Sequence, residues 1–323
     1  MVKIGIIGAG HLGKIHLKLW KEVSGIELVG FYDQDYEIAS LVQDEIGVKA
    51  YADFQSLLRD CDAIDIVSPT ISHFDYAAAT IRSNKHCFIE KPLASNIAEA
   101  SRLVSLAQEA GSIVQVGHVE RFNPAFQAAL PYIGRPMFIE AHRLALFNPR
   151  GTDVSVVHDL MIHDIDIILS IVKSNIKKVS ANAVSVVSDT ADIANARIEF
   201  DNGSVANLTA SRISLKNMRK IRFFQQDAYV SVDFYEKKTE IVKIRPSDKE
   251  EGLVIDLGPI KGKKEIYFEN PEIPDSNAIL EELKAFVSSI QNHSQPPVSI
   301  EDGYYAMELA SKIMEKIQLS IIS

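Results

Sequence analysis

Val2-Lys-Ile-Gly-Ile-Ile-Gly8-Ala-Gly10-His11-Leu12-Gly13 joins an apolar run to a Gly-x-Gly-x-x-Gly turn, and the fold of the first half follows from it. Ile4, Ile6 and Ile7 read as a strand buried on both faces. Gly8 permits a tight turn, Gly10 lets backbone amides approach a pyrophosphate, and Gly13 lets the next helix pack against the strand. That helix, residues 11–22, opens with His11 and Leu12 and aims its amino end at the phosphates. A second strand, 27–32, ends in Asp33, where an acid can accept from ribose hydroxyls and repel a 2′-phosphate. No Lys or Arg stands between Asp33 and Val48. NAD is therefore expected over NADP, because a 2′-phosphate needs a cation close by.

Downstream the pattern alternates helix with short apolar strand: helix 36–46, strand 48–51, helix 54–59, strand 63–67, helix 72–83, strand 86–89, helix 96–110, strand 113–117. That order defines an α/β doubly wound parallel sheet. Two polar clusters fall at carboxyl ends of its strands, Ser68-Pro69-Thr70 with Ser72-His73, and Glu90-Lys91-Pro92. Ligands bind along that edge of such sheets, so Ser68, Pro69, Thr70, His73, Glu90 and Lys91 are candidates for contact with the cofactor.

The first domain is expected to span 1–118 and a second 119–323. Glu120-Arg121-Phe-Asn123-Pro124 reads as the crossover, and Arg121 and Asn123 there are candidates for binding substrate, the guanidinium suiting a diphosphate. A strand at 137–143 and a loop at 147–152 precede an apolar helix at 154–171. Beyond it the period becomes two, giving strands at 176–187, 193–200, 204–213, 219–225, 229–233 and 240–244. Asp201-Asn202-Gly203 is a hairpin turn among them. The second domain is thus α+β with a large, mainly antiparallel open sheet. Residues 247–264 read as a loop with one short strand, and helices at 277–291 and 301–321 close the chain.

On the helix at 154–171, Asp159, His163 and Asp166 stand at i, i+4 and i+7, hence on one face, and all three are candidates for binding substrate, with Lys91. Imidazole, with a pKa near neutrality, suits the removal of a hydroxyl proton. His158 and His163, at i and i+5, point to different faces, so no metal site is expected.

The 323 residues suit two cores. A net charge of −9 disfavours nucleic acid, which draws on Lys and Arg patches. No uncharged apolar run reaches the ~18 residues of a membrane span, and no signal sequence is visible at the start. Two cysteines, Cys61 and Cys87, make no disulfide framework. A cytoplasmic setting is the expectation.

These motifs together resemble the Gfo/Idh/MocA oxidoreductases, the glucose-fructose oxidoreductase and inositol dehydrogenase group, over nearly the whole chain. The resemblance is carried by Gly8–Gly13, Ser68–His73, Glu90-Lys91-Pro92, the segment from Asp159 through His163 to Asp166, and Val298-Ser-Ile-Glu-Asp-Gly303. It implies a Rossmann domain, a second domain whose open sheet makes a homodimer or homotetramer, and Lys91, Asp159 and His163 as the catalytic group. Val116-Gly-His-Val-Glu-Arg-Phe-Asn-Pro-Ala125 resembles the segment of sugar-nucleotide members, which implies the 3-hydroxyl of UDP-N-acetylglucosamine as the reacting group. One departure is Val154-Ser-Val-Val157, where many members are Gly-rich. A non-catalytic dinucleotide sensor or co-repressor, and a same-fold reductase of a non-sugar substrate, are the rival readings. A pure sensor need not keep Lys91 with His163.

Overall fold

Val2–Ile7 forms β1 of the computed structural model, and of its six side chains only Lys3 is exposed. Residues 1–148, 154–247, 253–256, 258 and 262–322 are described; the expected loop at 147–152 falls mostly outside them. β1 leads through the glycine turn into α1 (His11–Trp20), β2 (Ile26–Tyr32), α2 (Tyr36–Ile46), α3 (Phe54–Asp60), β3 (Ala63–Ile66), α4 (His73–Arg82), β4 (His86–Glu90), α5 (Ile97–Ala110) and β5 (Val114–Gly117). The strands lie in the order β2-β1-β3-β4-β5, every neighbouring pair parallel. The order reverses at β1 and β3, and there the chain leaves both strands into polar loops.

Side-chain caps set the helix starts. Asp35, Asp53 and Asn96 each accept a backbone N–H at the head of α2, α3 and α5, and Gly47 and Gly111 end α2 and α5 in the left-handed conformation. The strand expected at 48–51 is a single bridge between Phe31 and Ala50. Between the Gly47 cap and the Asp53 cap the chain is too short for more.

After β5, α6 (Pro124–Ala129) and β6 (Phe138–Leu144) lead to a π-helical turn, Val157–Met161, which runs directly into α7 (Ile162–Ile171). The strands that follow are β7 (Ile176–Val184), β8 (Ile193–Phe200), β9 (Val205–Ser211), β10 (Met218–Phe224), β11 (Ala228–Asp233), β12 (Lys238–Pro246), β13 (Val254–Asp256) and β14 (Lys263–Glu269). They form a nine-stranded sheet, β13-β14-β12-β11-β10-β6-β9-β8-β7, antiparallel except for β6 against β9. This is the expected large open sheet. β14 was not foreseen, because its Lys- and Glu-rich sequence shows no alternation of apolar residues. The Asn202-Gly203 turn joins β8 to β9, with Gly203 at a φ of 87° and the Asn202 side chain accepting from Ser204.

One face of this sheet is lined by Ala194, Ala196, Ala206 and Ala210, all 0% exposed. Leu208 is also 0% exposed and shares the buried face with them. The outward positions of β8 and β9 are polar instead: Asn195 donates to Thr209, and Arg197 to Asn207 and Glu199.

α8 (Ala278–Asn292) and α9 (Ile300–Ile322) complete the chain. Contacts divide it differently from a single cut near His118: one unit is Met1–Phe122 with Asn277–Glu308, the other Asn123–Ser276 with Leu309–Ser323. The apolar stripe of α8 explains the difference. Leu283, Phe286, Val287 and Ile290 join Leu17, Trp20 and Phe88 in the core around the parallel sheet, with the Phe88 and Phe286 rings edge to face at 5.9 Å.

Candidate dinucleotide site and catalytic residues

At the reversal of the parallel sheet a cavity of about 450 Å³ is lined by Gly8, Gly10, His11, Leu12, Asp33, Ser68 and Pro69 among others. The three glycines of the turn have separate physical reasons. Gly8 holds a φ of 98°, and a Cβ on it would come 2.8 Å from the Ser68 amide nitrogen. A Cβ on Gly13 would come 2.1 Å from the Gly8 carbonyl oxygen, so helix and turn meet only through glycine. A Cβ on Gly10 would meet no protein atom within 4 Å, so its bareness serves a ligand rather than the packing. The start of α1 carries no side-chain cap and no acid in its first turn. Its N–H groups suit a diphosphate. Asp33 is fixed from both oxygens, accepting from the Ala9 amide at 2.7 Å and from Asp35 at 2.9 Å.

Thr70, His73, Glu90 and Lys91 do not line this cavity. His73 is buried, its ring nitrogens 2.8 Å from the Ser68 carbonyl oxygen and 2.9 Å from that of Pro92. It ties the two polar strand-end loops together. Burial lowers its pKa, the two carbonyls opposing. Lys91 leaves β4 half-buried, its backbone N–H donating to the Glu90 carboxylate at 3.1 Å and its peptide to Pro92 cis.

In the second unit the π turn changes the expected geometry. Asp159 lies in it and His163 at the head of α7, so the two are not one regular α-helical turn apart. Asp159 is exposed, His163 half-buried and Asp166 1% exposed. The stripe of three ionisable residues therefore runs from solvent into the core. Burial lowers the pKa of His158. Val156 and Val157, where relatives were expected to be Gly-rich, are 0% exposed.

Sequence reasoning missed Asp164, which accepts two hydrogen bonds from Arg143 of β6, at 2.9 and 3.1 Å, with both residues buried. The pair pins α7 to the sheet. Arg121 lies 3.6 Å from Asp302. Asn123 caps α6, accepting from Ala125 and donating to the Phe234 carbonyl. A larger cavity of about 1130 Å³, among Tyr132, Arg135, Lys173, Gln225 and Lys243, contains no expected site residue. Among the described residues no helix is long and apolar enough to cross a membrane.

A parallel sheet with a bare glycine turn at its reversal, followed by a large mainly antiparallel sheet, defines a two-part dinucleotide-dependent oxidoreductase. Residues 2–118 match the Gfo/Idh/MocA oxidoreductase family model, NAD-binding Rossmann fold, and residues 132–231 match the GFO/IDH/MocA C-terminal domain. The chain belongs to this family. It is 36% identical over 293 residues to the UDP-N-acetylglucosamine 3-dehydrogenase of Acidithiobacillus ferrooxidans, covering 90% of each chain. To the myo-inositol 2-dehydrogenase of Thermotoga maritima it is 26% identical over 337 residues, covering 98% of this chain and 97% of the relative. A solved structure of the Acidithiobacillus enzyme superimposes with a TM-score of 0.88 over 98% of both chains at 32% identity. The protein is an NAD-binding oxidoreductase of the sugar and inositol dehydrogenase type.

Proposed function

We propose that the protein transfers a hydride between NAD and a secondary ring hydroxyl of a sugar nucleotide, the 3-hydroxyl of UDP-N-acetylglucosamine. The observation that carries the substrate is the 36% identity, extending over 90% of both chains, with an enzyme named for that reaction. Bound NAD supplies the hydride acceptor. His163 takes the hydroxyl proton, and Lys91 donates a hydrogen bond to the oxygen as it becomes a ketone. Asp159, at the exposed start of the same run, holds a neighbouring sugar hydroxyl. Arg121 supplies charge for the diphosphate. Asn123 and Asp166, both buried, serve the fold that carries these groups.

Absorbance of the reduced cofactor, followed with purified protein, NAD and UDP-N-acetylglucosamine, tests this reading. Turnover of UDP-N-acetylglucosamine with none of myo-inositol supports it. The reverse result transfers the assignment to inositol oxidation, which the relative matched over 97% of its length favours as the second reading.

A homodimer or homotetramer formed through the outward face of the nine-stranded sheet belongs to the same proposal. So does a reducing, cytoplasmic setting, in keeping with two free and buried thiols, Cys61 and Cys87.

A further inference from the structure

Under the strand end that bears Lys91 lies a cluster of ionisable side chains outside the cavity lined by the glycine turn. His16 of α1 is 0% exposed. Its Nδ1 lies 2.8 Å from Asp65 Oδ2 of β3, which also accepts the Trp20 indole N–H at 2.7 Å. Its Nε2 lies 3.4 Å from Glu90 Oε1 of β4. Glu90 Oε2 in turn accepts the Lys91 amide. On β5, a Cβ on Gly117 would stand 2.8 Å from Glu90 Oε1, so the neighbouring strand is bare where the carboxylate sits. Glu282 of α8, 0% exposed, brings a carboxylate oxygen within 4.8 Å of ligand atoms of both His16 and Glu90, and neither of its oxygens has a hydrogen-bond partner.

Three ionised carboxylates and a neutral imidazole would bury three negative charges beside the Phe88 ring, which lies 5.9 Å from the His16 ring, a prohibitive arrangement. An imidazolium, two carboxylates and one carboxylic acid cost least. The acid is identified by its surroundings: Asp65 accepts from two donors, and Glu90 accepts the Lys91 amide and stands 3.4 Å from His16 Nε2, whereas neither oxygen of Glu282 has a hydrogen-bond partner. Among the described residues, other groups that act on the cluster are His73 of α4, on which the charge of Glu90 works upward against burial, the Cys87 thiol of β4, which burial pushes above its ordinary range, and the Gln115 amide of β5, which donates to the Glu282 carbonyl. Burial, then the charge of Glu90, raises Glu282 well above the usual carboxyl range. For His16 burial works downward, but Asp65 and Glu90 outweigh it and raise its pKa to about 10.

We propose that His16 is a positioning residue for Lys91: as an imidazolium strung between Asp65 and Glu90, it sets the carboxylate that holds the Lys91 amide, while protonated Glu282 limits the cluster to a single net negative charge. This rests on Lys91 acting at the reacting hydroxyl.

The test uses the full-length protein and the variants His16→Gln, Glu282→Gln and Lys91→Ala, with UDP-N-acetylglucosamine and NAD. An amide is nearly isosteric with a carboxylic acid, so Glu282→Gln should keep wild-type kcat and melting temperature. His16→Gln should lose about 10- to 100-fold in kcat, the scale of a small misplacement, with NAD affinity and substrate KM within about threefold. Trp20 is the sole tryptophan of the chain, so its emission reports on the cluster without any assay of activity. It should titrate near pH 10 in the wild type and lose that transition in His16→Gln.

Full kcat in His16→Gln beside an inactive Lys91→Ala overturns the positioning role and leaves the Lys91 assignment standing. Full kcat in Lys91→Ala overturns that assignment and the inference with it. A divalent metal present in stoichiometric amount and lost in Glu282→Gln makes the cluster a metal centre and overturns the proton assignment.

Discussion

Asp33 shows how one side chain decides a cofactor. Its two oxygens are held by the Ala9 and Asp35 amides, so the carboxylate cannot swing away from a 2′-phosphate, and the stretch from there to Val48 offers no cation. Titration with both dinucleotides should therefore show NAD binding at least about tenfold more tightly than NADP, one unmatched charge contact being worth that much. Asp33→Ser should narrow the gap; tighter NADP binding by the wild type would contradict the role. Lys91 and His163 are the residues proposed above to act on the reacting hydroxyl. Each replaced by Ala should lose at least about 10²-fold in turnover. The double variant should lose less than the product, because groups acting as one unit are not additive. Near wild-type turnover of a confirmed substrate by His163→Ala would leave Lys91 alone as the base.

Among elements, α7 and its π turn carry the largest difference between sequence and structure. A spacing of four and three residues read as one regular face, and a single i→i+5 turn leaves no periodic trace in so short a segment. The glycine turn, Asp33 and the Asn202-Gly203 hairpin were legible because each rests on the chemistry of one or two residues. The Arg143–Asp164 pair and the place of α8 were not, since both depend on contacts between residues far apart in sequence. His16 lies between these cases: it shares the buried side of α1 with Trp20, four residues on, so the sequence places it inside without showing its partners.

Two predictions belong at this scale. Removing one member of a buried ion pair leaves the other uncompensated, so Arg143→Met should cost about 3–5 kcal/mol in urea denaturation; a loss under 1 kcal/mol means α7 is held by its apolar face alone. Asp192, buried at the start of β8, accepts from the amides of Val186, Val187 and Ser188. Burial raises its pKa, but the amides of Val187, Ser188 and Val186 together outweigh it and hold it below the ordinary 3.8. A carboxylate with a depressed folded pKa contributes stability above its unfolded value and loses it as the pH falls. Melting temperatures of the wild type should thus drop more steeply below pH 3.8 than those of Asp192→Asn, and parallel curves would remove the carboxylate from that role.

At the scale of the whole molecule the nine-stranded sheet has one face closed by alanines and branched aliphatics and one lined by Asn195, Arg197, Asn207 and Thr209. A subunit contact there would be polar and hydrogen-bonded rather than oily, and so sensitive to a change in one side chain. Light scattering at micromolar concentration should give a mass of two or four times 35.8 kDa, reduced by Arg197→Glu. A wild-type mass of one chain would refute the assembly.

The first unit is closed by chain that arrives late. Residues 123–276 must leave the ribosome before Leu283, Phe286, Val287 and Ile290 of α8 can cover Trp20 and Phe88. The nascent parallel sheet must therefore wait with that apolar flank open to water, a state that attracts chaperones and nonspecific association. Vectorial synthesis thus makes α8, one of the last two helices, the step that seals the unit begun by β1. A circular permutant that begins with α8 and then runs into β1 should bury that flank during translation and shorten its exposure.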